Sequence, residues 1–392
     1  MTERLYYQNS YATEFEAEII RVEKHGARSA VVLDRTAFYP TSGGQPFDTG
    51  RLGDANVIEV VDADAGSILH VVDRELAKGP VHGSIDWSRR LEHMQQHTGQ
   101  HVLSAAFDRL SNARTESFHL GSASSTIDLN RALSAAEIEQ VENEANRVVW
   151  DDRPVTIRFA DAAEAAQLPL RKDSAREGTL RLIEVADFDI SACGGTHVAR
   201  TGAIGMIAVA STERFRGGTR VEFLCGVRAL RGYRALRDVV SGSVRLVSVL
   251  PAELPAGIER LQAESKAAKK QLKELQVRLS TFEAASLAQR AEAHATVQVV
   301  LAALEGWDQA GLKAIASELA GRPGHAAVLF SVPPPSAVVI ARAPDAAVDC
   351  AAVLKQLVER FGGKGGGRPD LAQGGGLEAP ADELLSFARG LL

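Results

Sequence analysis

A chain of 392 residues is long enough for two to four folding units at roughly 100–200 residues each. Its 45% hydrophobic and 24% charged residues are an ordinary globular balance, able to build real cores. A net charge of −6 excludes nucleic-acid binding by bulk positive charge and leaves room only for a local basic groove. Residues 1–88 alternate in the manner of strands: AEIIRVE (17–23), SAVVLDRTAFY (29–39), ANVIEVVDA (55–63), SILHVVD (67–73) and VHGSIDW (81–87) are short, β-rich and separated by turn residues. Such spacing predicts a small β-barrel or sandwich ending near Ser88. From Arg89 the period becomes helical, with Leu91, Met94, Val102, Ala105 and Leu110 on the first segment. Ser134 and Glu137 form a capping-box signal before a helix carrying Ile138, Val141, Ala145 and Val148. VTIRFA (155–160), TLRLIEVADF (179–188), AIGMIAVA (203–210) and TRVEFLCG (219–226) read as strands, so 89–250 is expected to be mixed α+β.

Pro251 and Pro255 mark a linker, and positions 258, 261, 265, 268, 272, 275, 279, 282 and 286 then repeat as a heptad seam. Residues 251–296 are thus a helical spacer, packing either on its own chain or as a dimer coiled coil. Between 259 and 278 it carries six basic and three acidic residues, either a solvated face or an approach to phosphates. The order of patterns in 297–392 predicts a small α/β domain. GGKGGGRPDLAQGGG (362–376), with eight glycines in fifteen residues, reads as a loop whose backbone approaches something closely. Three scattered cysteines are too few for a disulfide framework, and no signal-type segment or stretch of ~20 apolar residues occurs. A soluble cytoplasmic protein without membrane association is expected. The fold class is α+β multidomain.

The chemistry-bearing residues cluster in motifs. His97 and His101, in HTGQH, share one helical face at i, i+4 and can converge on one ion. The protease pattern H-E-x-x-H fails, because Thr98 stands where the glutamate base would be. CGGTH adds Cys193 and His197, and one thiolate with three imidazoles suits tetrahedral Zn²⁺. The alternative is a buried thiol with unrelated histidines. Four protein ligands usually make a closed structural site, whereas catalysis needs an open position. FYPTSGGQPFDTG (38–50) supplies a tight glycine turn followed by Gln45.

Together these motifs resemble the alanyl-tRNA editing proteins, free-standing relatives of the editing domain of alanyl-tRNA synthetase. HTGQHVLS is similar to that family's first metal motif, CGGTH to its second, and FYPTSGGQPFDTG to the glycine-rich motif of its small barrel. GGKGGGRPDLAQGGG resembles the signature of the C-terminal domain shared with the synthetase and certain DHH phosphoesterases. All four occur in the family's order across the whole chain, as in its long form. The resemblance implies a barrel over 1–88, a zinc-dependent editing domain over 89–250, the spacer over 251–296 and a tRNA-binding or dimerisation domain over 297–392. It implies hydrolysis of tRNA(Ala) mischarged with serine, or also glycine, with one Zn²⁺ per chain on His97, His101, Cys193 and His197. By the same resemblance Gln45 lies near the acceptor end and Thr115, in RTESFHLG, senses the serine hydroxyl. Arg216 and Arg220 would meet acceptor-stem phosphates, and Lys364 and Arg368 would contact the outer corner of the tRNA. A homodimer through the spacer or the C-terminal domain is a further expectation.

The familiar first motif has Ala-Thr where this chain has Gly99 and Gln100. The ligand spacing is kept, but glycine costs about 1 kcal/mol of local helix stability relative to alanine. A full synthetase is not expected, since the chain opens at the barrel with no room for an aminoacylation domain and its ATP chemistry. A DHH phosphoesterase is not expected either, because none of the ten histidines adjoins another. The remaining alternative is a zinc-stabilised module that binds aminoacyl-tRNA without hydrolysing it.

Overall fold

Alternating apolar residues fold the N-terminal region into strands whose buried faces point at one another. The computed structural model describes residues 1–63, 66–171 and 178–392, in two compact units, Met1–Gly242 and Ser243–Leu392. In the first unit β1 (Glu14–His25), β2 (Arg28–Leu33), β3 (Gly50–Leu52), β4 (Ala55–Asp62), β5 (Ile68–Val72) and β6 (Gly79–Ile85) close a barrel in the order β1-β2-β5-β4-β3-β6. Every pairing is antiparallel. Phe15, Ile19, Val31, Leu33, Phe38, Leu52, Val60 and Ile68 fill its interior. The five expected strand segments each contain a strand. The sixth, β3, is too short for periodicity to reveal. Gly50 begins it, where a Cβ would lie 2.0 Å from the Ser84 carbonyl oxygen.

α1 (Trp87–Ser111) starts one residue after Asp86, whose carboxylate accepts from the Arg89 amide. It is no amphipathic surface helix: Leu110 is exposed, while Gln95, Gln96, His97, Thr98, Gln100 and His101 are all buried. Burying amides requires partners. Gln96 supplies both, donating to the Cys225 carbonyl and accepting from the Cys225 amide, each at 2.9 Å. Gln95 likewise bridges the Ala203 carbonyl and the Val227 amide. These side chains pair with backbone as a neighbouring strand would, which is how so polar a helix sits inside.

β7 (Thr115–Leu120) and β8 (Ser125–Leu129) follow, then α2 (Ala135–Trp150), which begins with the expected capping box at Ser134 and Glu137. β9 (Val155–Ala160), β10 (Leu180–Val185) and β11 (Asp189–Ala192) make one antiparallel sheet. β12 (Ile207–Phe215) and β13 (Gly218–Cys225) complete another in the order β12-β13-β8-β7. The strand expected at 203–210 begins only at Ile207, because Thr201–Ile204 turn as a short 3-10 helix. Met94, Leu103 and Phe107 of α1 pack with Val141, Ala145 and Val148 of α2 and Val221 and Phe223 of β13. α3 (Gly226–Val247) leads the chain out of this unit.

In the second unit α4 (Leu254–Ala288) runs for 35 residues. Its last turns pack through Ala284 and Leu287 on α5 (Gln309–Ala320). The heptad positions Ile258, Leu261, Leu272, Leu275, Leu279 and Phe282 are exposed. No single helix among the described residues is long and apolar enough to cross a membrane. β14 (Glu292–His294), β15 (Val297–Glu305), β16 (His325–Val332), β17 (Ser336–Arg342), β18 (Lys364–Arg368) and β19 (Leu371–Leu377) form a sheet ordered β14-β15-β16-β17-β19-β18, backed by α5, α6 (Cys350–Phe361) and α7 (Ala381–Arg389). The expected glycine loop is mostly a hairpin: β18 and β19 pair antiparallel, Gly365 opposite Gly374 and Gly367 opposite Ala372. The close approach expected of its backbone is made to itself. A Cβ at Gly367 would fall 2.3 Å from the Ala372 Cα, and one at Gly365 2.6 Å from the Gly374 Cα.

Candidate metal centre

One helix and one turn bring four donors together. α1 presents His97 and His101 one turn apart, and the turn after β11 presents Cys193 and His197. Their donor atoms all lie within 4.8 Å of one another. Cys193 Sγ is 3.3 Å from the Nε2 of both His97 and His197. Tetrahedral zinc with Zn–S near 2.3 Å and Zn–N near 2.0 Å has S···N edges of about 3.5 Å. The cluster thus fits the ion in donor type, number and spacing. The three histidines are buried and Cys193 is partly exposed, so the cluster is open on its sulfur side.

Gly195 explains why the second motif needs a glycine at its third position. A Cβ there would lie 2.1 Å from His97 Cε1, so the turn closes onto the imidazole only without a side chain. Each imidazole also has its Nδ1 occupied. His97 donates to Gln45 Oε1 at 2.8 Å, His197 to Thr98 Oγ1 at 3.1 Å and His101 to Asp189 Oδ2 at 3.2 Å. That pattern turns each ring's other nitrogen toward Cys193 Sγ, where a metal would sit between them, the usual arrangement of outer partners around ligand histidines. Gln45 belongs to the barrel's SGGQ loop. It is fully buried, accepting from the Thr196 amide and donating to Thr196 Oγ1. The loop seats on β7, where the Leu120 amide donates to the Gly44 carbonyl and a Cβ on Gly44 would lie 2.8 Å from the Phe118 ring.

Burial alone would raise the Cys193 thiol, but His97 and His197 beside it outweigh burial and hold it well below its ordinary value. Burial would lower His101, yet its hydrogen bonds to Asp189 and Cys193 prevail and lift it to about 9. Desolvation pushes His197 down to about 3. Burial raises both other thiols, Cys225 far above its ordinary value and Cys350 to about 11. Thiolate fraction sets alkylation rate. In metal-free native protein at pH 7, iodoacetamide is therefore expected to modify Cys193 and spare the other two, and Zn²⁺ to protect it. Mass mapping after digestion checks this, and equal labelling of all three cysteines would refute it.

Gly99, the departure in the first motif, has a packing reason. A Cβ there would sit 2.3 Å from Cys225 Sγ, at the buried end of β13. Gly99→Ala is expected to destabilise by about 1–3 kcal/mol through overpacking, exceeding its gain in helix propensity. Adding Cys225→Ala should recover most of that loss, measured as the urea midpoint of each variant.

Thr115, on β7, donates its hydroxyl to Ser104 Oγ at 2.8 Å, and Gln100 Nε2 donates to the same oxygen. Arg216 is exposed in the β12–β13 turn, with its guanidinium 5.0 Å from the Phe215 ring centre. Arg220 is paired to Asp128 at 2.6 Å and lies over that same ring. Lys364 and Arg368 are exposed at the two ends of β18, Arg368 pairing with Asp370 at 3.0 Å. Sequence reasoning missed Thr98, Asp189 and Arg181. Of these only Thr98, next to His97, carried a local signal.

Beside Cys193 opens a cavity of about 360 Å³, lined by Tyr7, Tyr39, Phe118, Arg4, Arg181 and the Gly194–Gly195 turn. Arg181 is almost wholly buried, donating to the carbonyls of Tyr7 and Cys193. Its Nη2 has no hydrogen-bond partner among the described residues.

Three family profiles match in sequence order: "tRNA synthetases class II (A)" at residues 2–89, "Threonyl and Alanyl tRNA synthetase second additional domain" at 180–222 and the DHHA1 domain at 296–392. The barrel and the Cys193 motif thus place the chain in the class of proteins sharing domains with alanyl-tRNA synthetase. The alanyl-tRNA editing protein AlaX-L of Pyrococcus horikoshii is 30% identical over 99% of this chain and 98% of its own length. The chain belongs to that family of alanyl-tRNA editing proteins. Alanine–tRNA ligases also match, at 32% identity in Pyrococcus abyssi and 35% in Halorubrum lacusprofundi. The chain spans less than half the length of these ligases, 42% and 44% respectively, while matching over 95% and 100% of its own.

Proposed function

We propose that this protein is a trans-acting aminoacyl-tRNA deacylase that hydrolyses the ester of tRNA(Ala) mischarged with serine foremost and glycine second. The observation that carries the reading is the opening of the His97–His101–Cys193–His197 cluster, at its sulfur side, into a cavity lined by aromatic rings and arginines. Aromatic faces accept nucleobases and guanidinium groups accept phosphate, so the 3′ end of a tRNA matches the cavity's chemistry. One Zn²⁺ on the four ligands would supply a Lewis acid for the ester carbonyl. Gln45, Thr98 and Asp189 hold the imidazoles in place for it. Thr115, backed by Ser104, is our assignment for sensing the serine hydroxyl. A synthetase pocket for a small side chain rejects an added hydroxyl only about 100-fold, which is why a second site is useful.

Arg216 and Arg220 are assigned to acceptor-stem phosphates, and Lys364 and Arg368 to the outer corner of the tRNA, all in the cytoplasm. The exposed seam of α4 is assigned to a homodimer contact. The second reading, a zinc-stabilised carrier of aminoacyl-tRNA, is favoured by one observation: all four positions of a tetrahedral site have protein donors, as in structural zinc sites.

One experiment separates the two readings. Purified protein, before and after zinc removal, is given seryl- and alanyl-tRNA, both on tRNA(Ala). Zinc-dependent loss of the seryl ester with the alanyl ester spared supports the deacylase, whereas tight binding of both esters without hydrolysis supports the carrier. In the same assay Thr115→Val is expected to reduce seryl-over-alanyl selectivity by about two- to tenfold, the worth of one hydrogen bond. Unchanged selectivity would remove Thr115 from the pocket.

A further inference from the structure

The three imidazoles of the cluster differ in what their Nδ1 atoms meet. His97 donates to an amide oxygen and His197 to a hydroxyl, both uncharged. Only His101 donates to a carboxylate, that of Asp189. Asp189 is buried with both oxygens engaged. Ser191 Oγ donates to Oδ2 at 3.0 Å, and Arg171 Nε donates to Oδ1 at 2.9 Å. Arg171 also donates from Nη2 to Ser191 Oγ at 3.1 Å. Beyond it lies a separate open cavity of about 420 Å³, lined by Arg171, Asp108, Arg109, Glu184 and Asp187 among others. A line of hydrogen-bonded groups therefore runs outward from the ligand cluster: imidazole, carboxylate, guanidinium.

A carboxylate on the Nδ1–H of a ligand histidine fixes the tautomer and increases the ring's basicity toward the metal. It also places a second negative charge beside a donor set whose one anionic member is the Cys193 thiolate. A guanidinium on the far side of that carboxylate withdraws part of the effect. We propose that Asp189 and Arg171 are a pair of positioning residues acting on His101 with opposite sign: Asp189 orients the ring and strengthens it as a metal donor, and Arg171 restrains that strengthening. This rests on the reading of the cluster as a zinc site.

Opposite signs separate this role from packing. Asp189→Asn keeps an acceptor of the same shape and removes the charge. It is expected to weaken Zn²⁺ binding by about 10–100-fold. Arg171→Gln keeps a donor toward Asp189 and removes the opposing charge, so it is expected to tighten Zn²⁺ binding by about three- to tenfold. The measurement is competition between full-length apoprotein and a chromophoric chelator for Zn²⁺, with circular dichroism confirming the fold of each variant. Wild-type protein that fails to compete would defeat the zinc reading, and this proposal with it. Wild-type competition with unaltered Asp189→Asn affinity, or with Arg171→Gln weakened, would overturn the proposal and leave the zinc reading intact. Should Asp189→Asn not fold, Arg171→Gln alone decides, because a pair that served only packing would weaken binding when broken.

Discussion

Cys193→Ala is expected to weaken zinc binding by more than about 100-fold, removing the cluster's one thiolate and leaving three neutral imidazoles. Deacylation of seryl-tRNA(Ala) should fall with it to near the uncatalysed rate. The fold should survive, because the surrounding core of Met94, Leu103, Phe107, Val221 and Phe223 does not depend on the Cys193 side chain. Chelator competition, the deacylation assay and far-UV circular dichroism report the three quantities separately. Full activity with normal metal content would end the assignment of Cys193 as a ligand. Collapse of the circular dichroism signal would instead mark the metal as structural, as in domains that unfold without it.

Asp48→Asn should produce the largest loss of stability of any substitution considered for this protein. Asp48 and Arg90 are both wholly buried, the guanidinium donating to the carboxylate from Nε at 3.1 Å and from Nη2 at 2.5 Å. Arg90 also donates to the carbonyls of Ser10 and Ala37, and Asp48 accepts from the Tyr39 amide. Neutralising the carboxylate leaves an unpaired cation in the interior, a change that costs about 3–5 kcal/mol. Urea unfolding followed by circular dichroism checks it as a lower midpoint at unchanged slope. Adding Arg90→Met should restore part of the loss by removing the stranded charge. A midpoint unaltered by Asp48→Asn would show that water or another group compensates Arg90.

The parts of this molecule legible in its sequence are those whose signal is local. Two histidines one helical turn apart, a Cys-Gly-Gly-Thr-His turn, and strands with period-two patterning each fit within a few residues. The parts that were not legible depend on partners far apart in the chain. Asp189 meets His101 across 88 positions and Gln45 meets His97 across 52. Nothing in either flanking segment announces the other. The glycine turn marks Gln45 in the sequence, but nothing there marks His97 as the residue it contacts. The burial of polar α1 is not legible from its apolar residues, because counting them cannot show that Gln95 and Gln96 satisfy backbone groups of neighbouring segments. The glycine run at 362–376 misled in the opposite direction, since strand pairing there is made by backbone alone and leaves no side-chain alternation to count.

The loop from Phe38 to Gly50 holds α1 at both ends of two helical turns: Phe47 accepts from Arg89 and Asp48 pairs with Arg90 at one end, and Gln45 meets His97 at the other. One short segment therefore fastens the helix and aims His97. It follows that the barrel is not a detachable module. A fragment starting at residue 87 would keep all four donors yet lose the acceptor that orients one of them and the counter-charge of its buried arginine. Any recombination event that exchanged barrels among relatives would have to carry these contacts with it, so this loop and this helix are expected to be inherited as one piece.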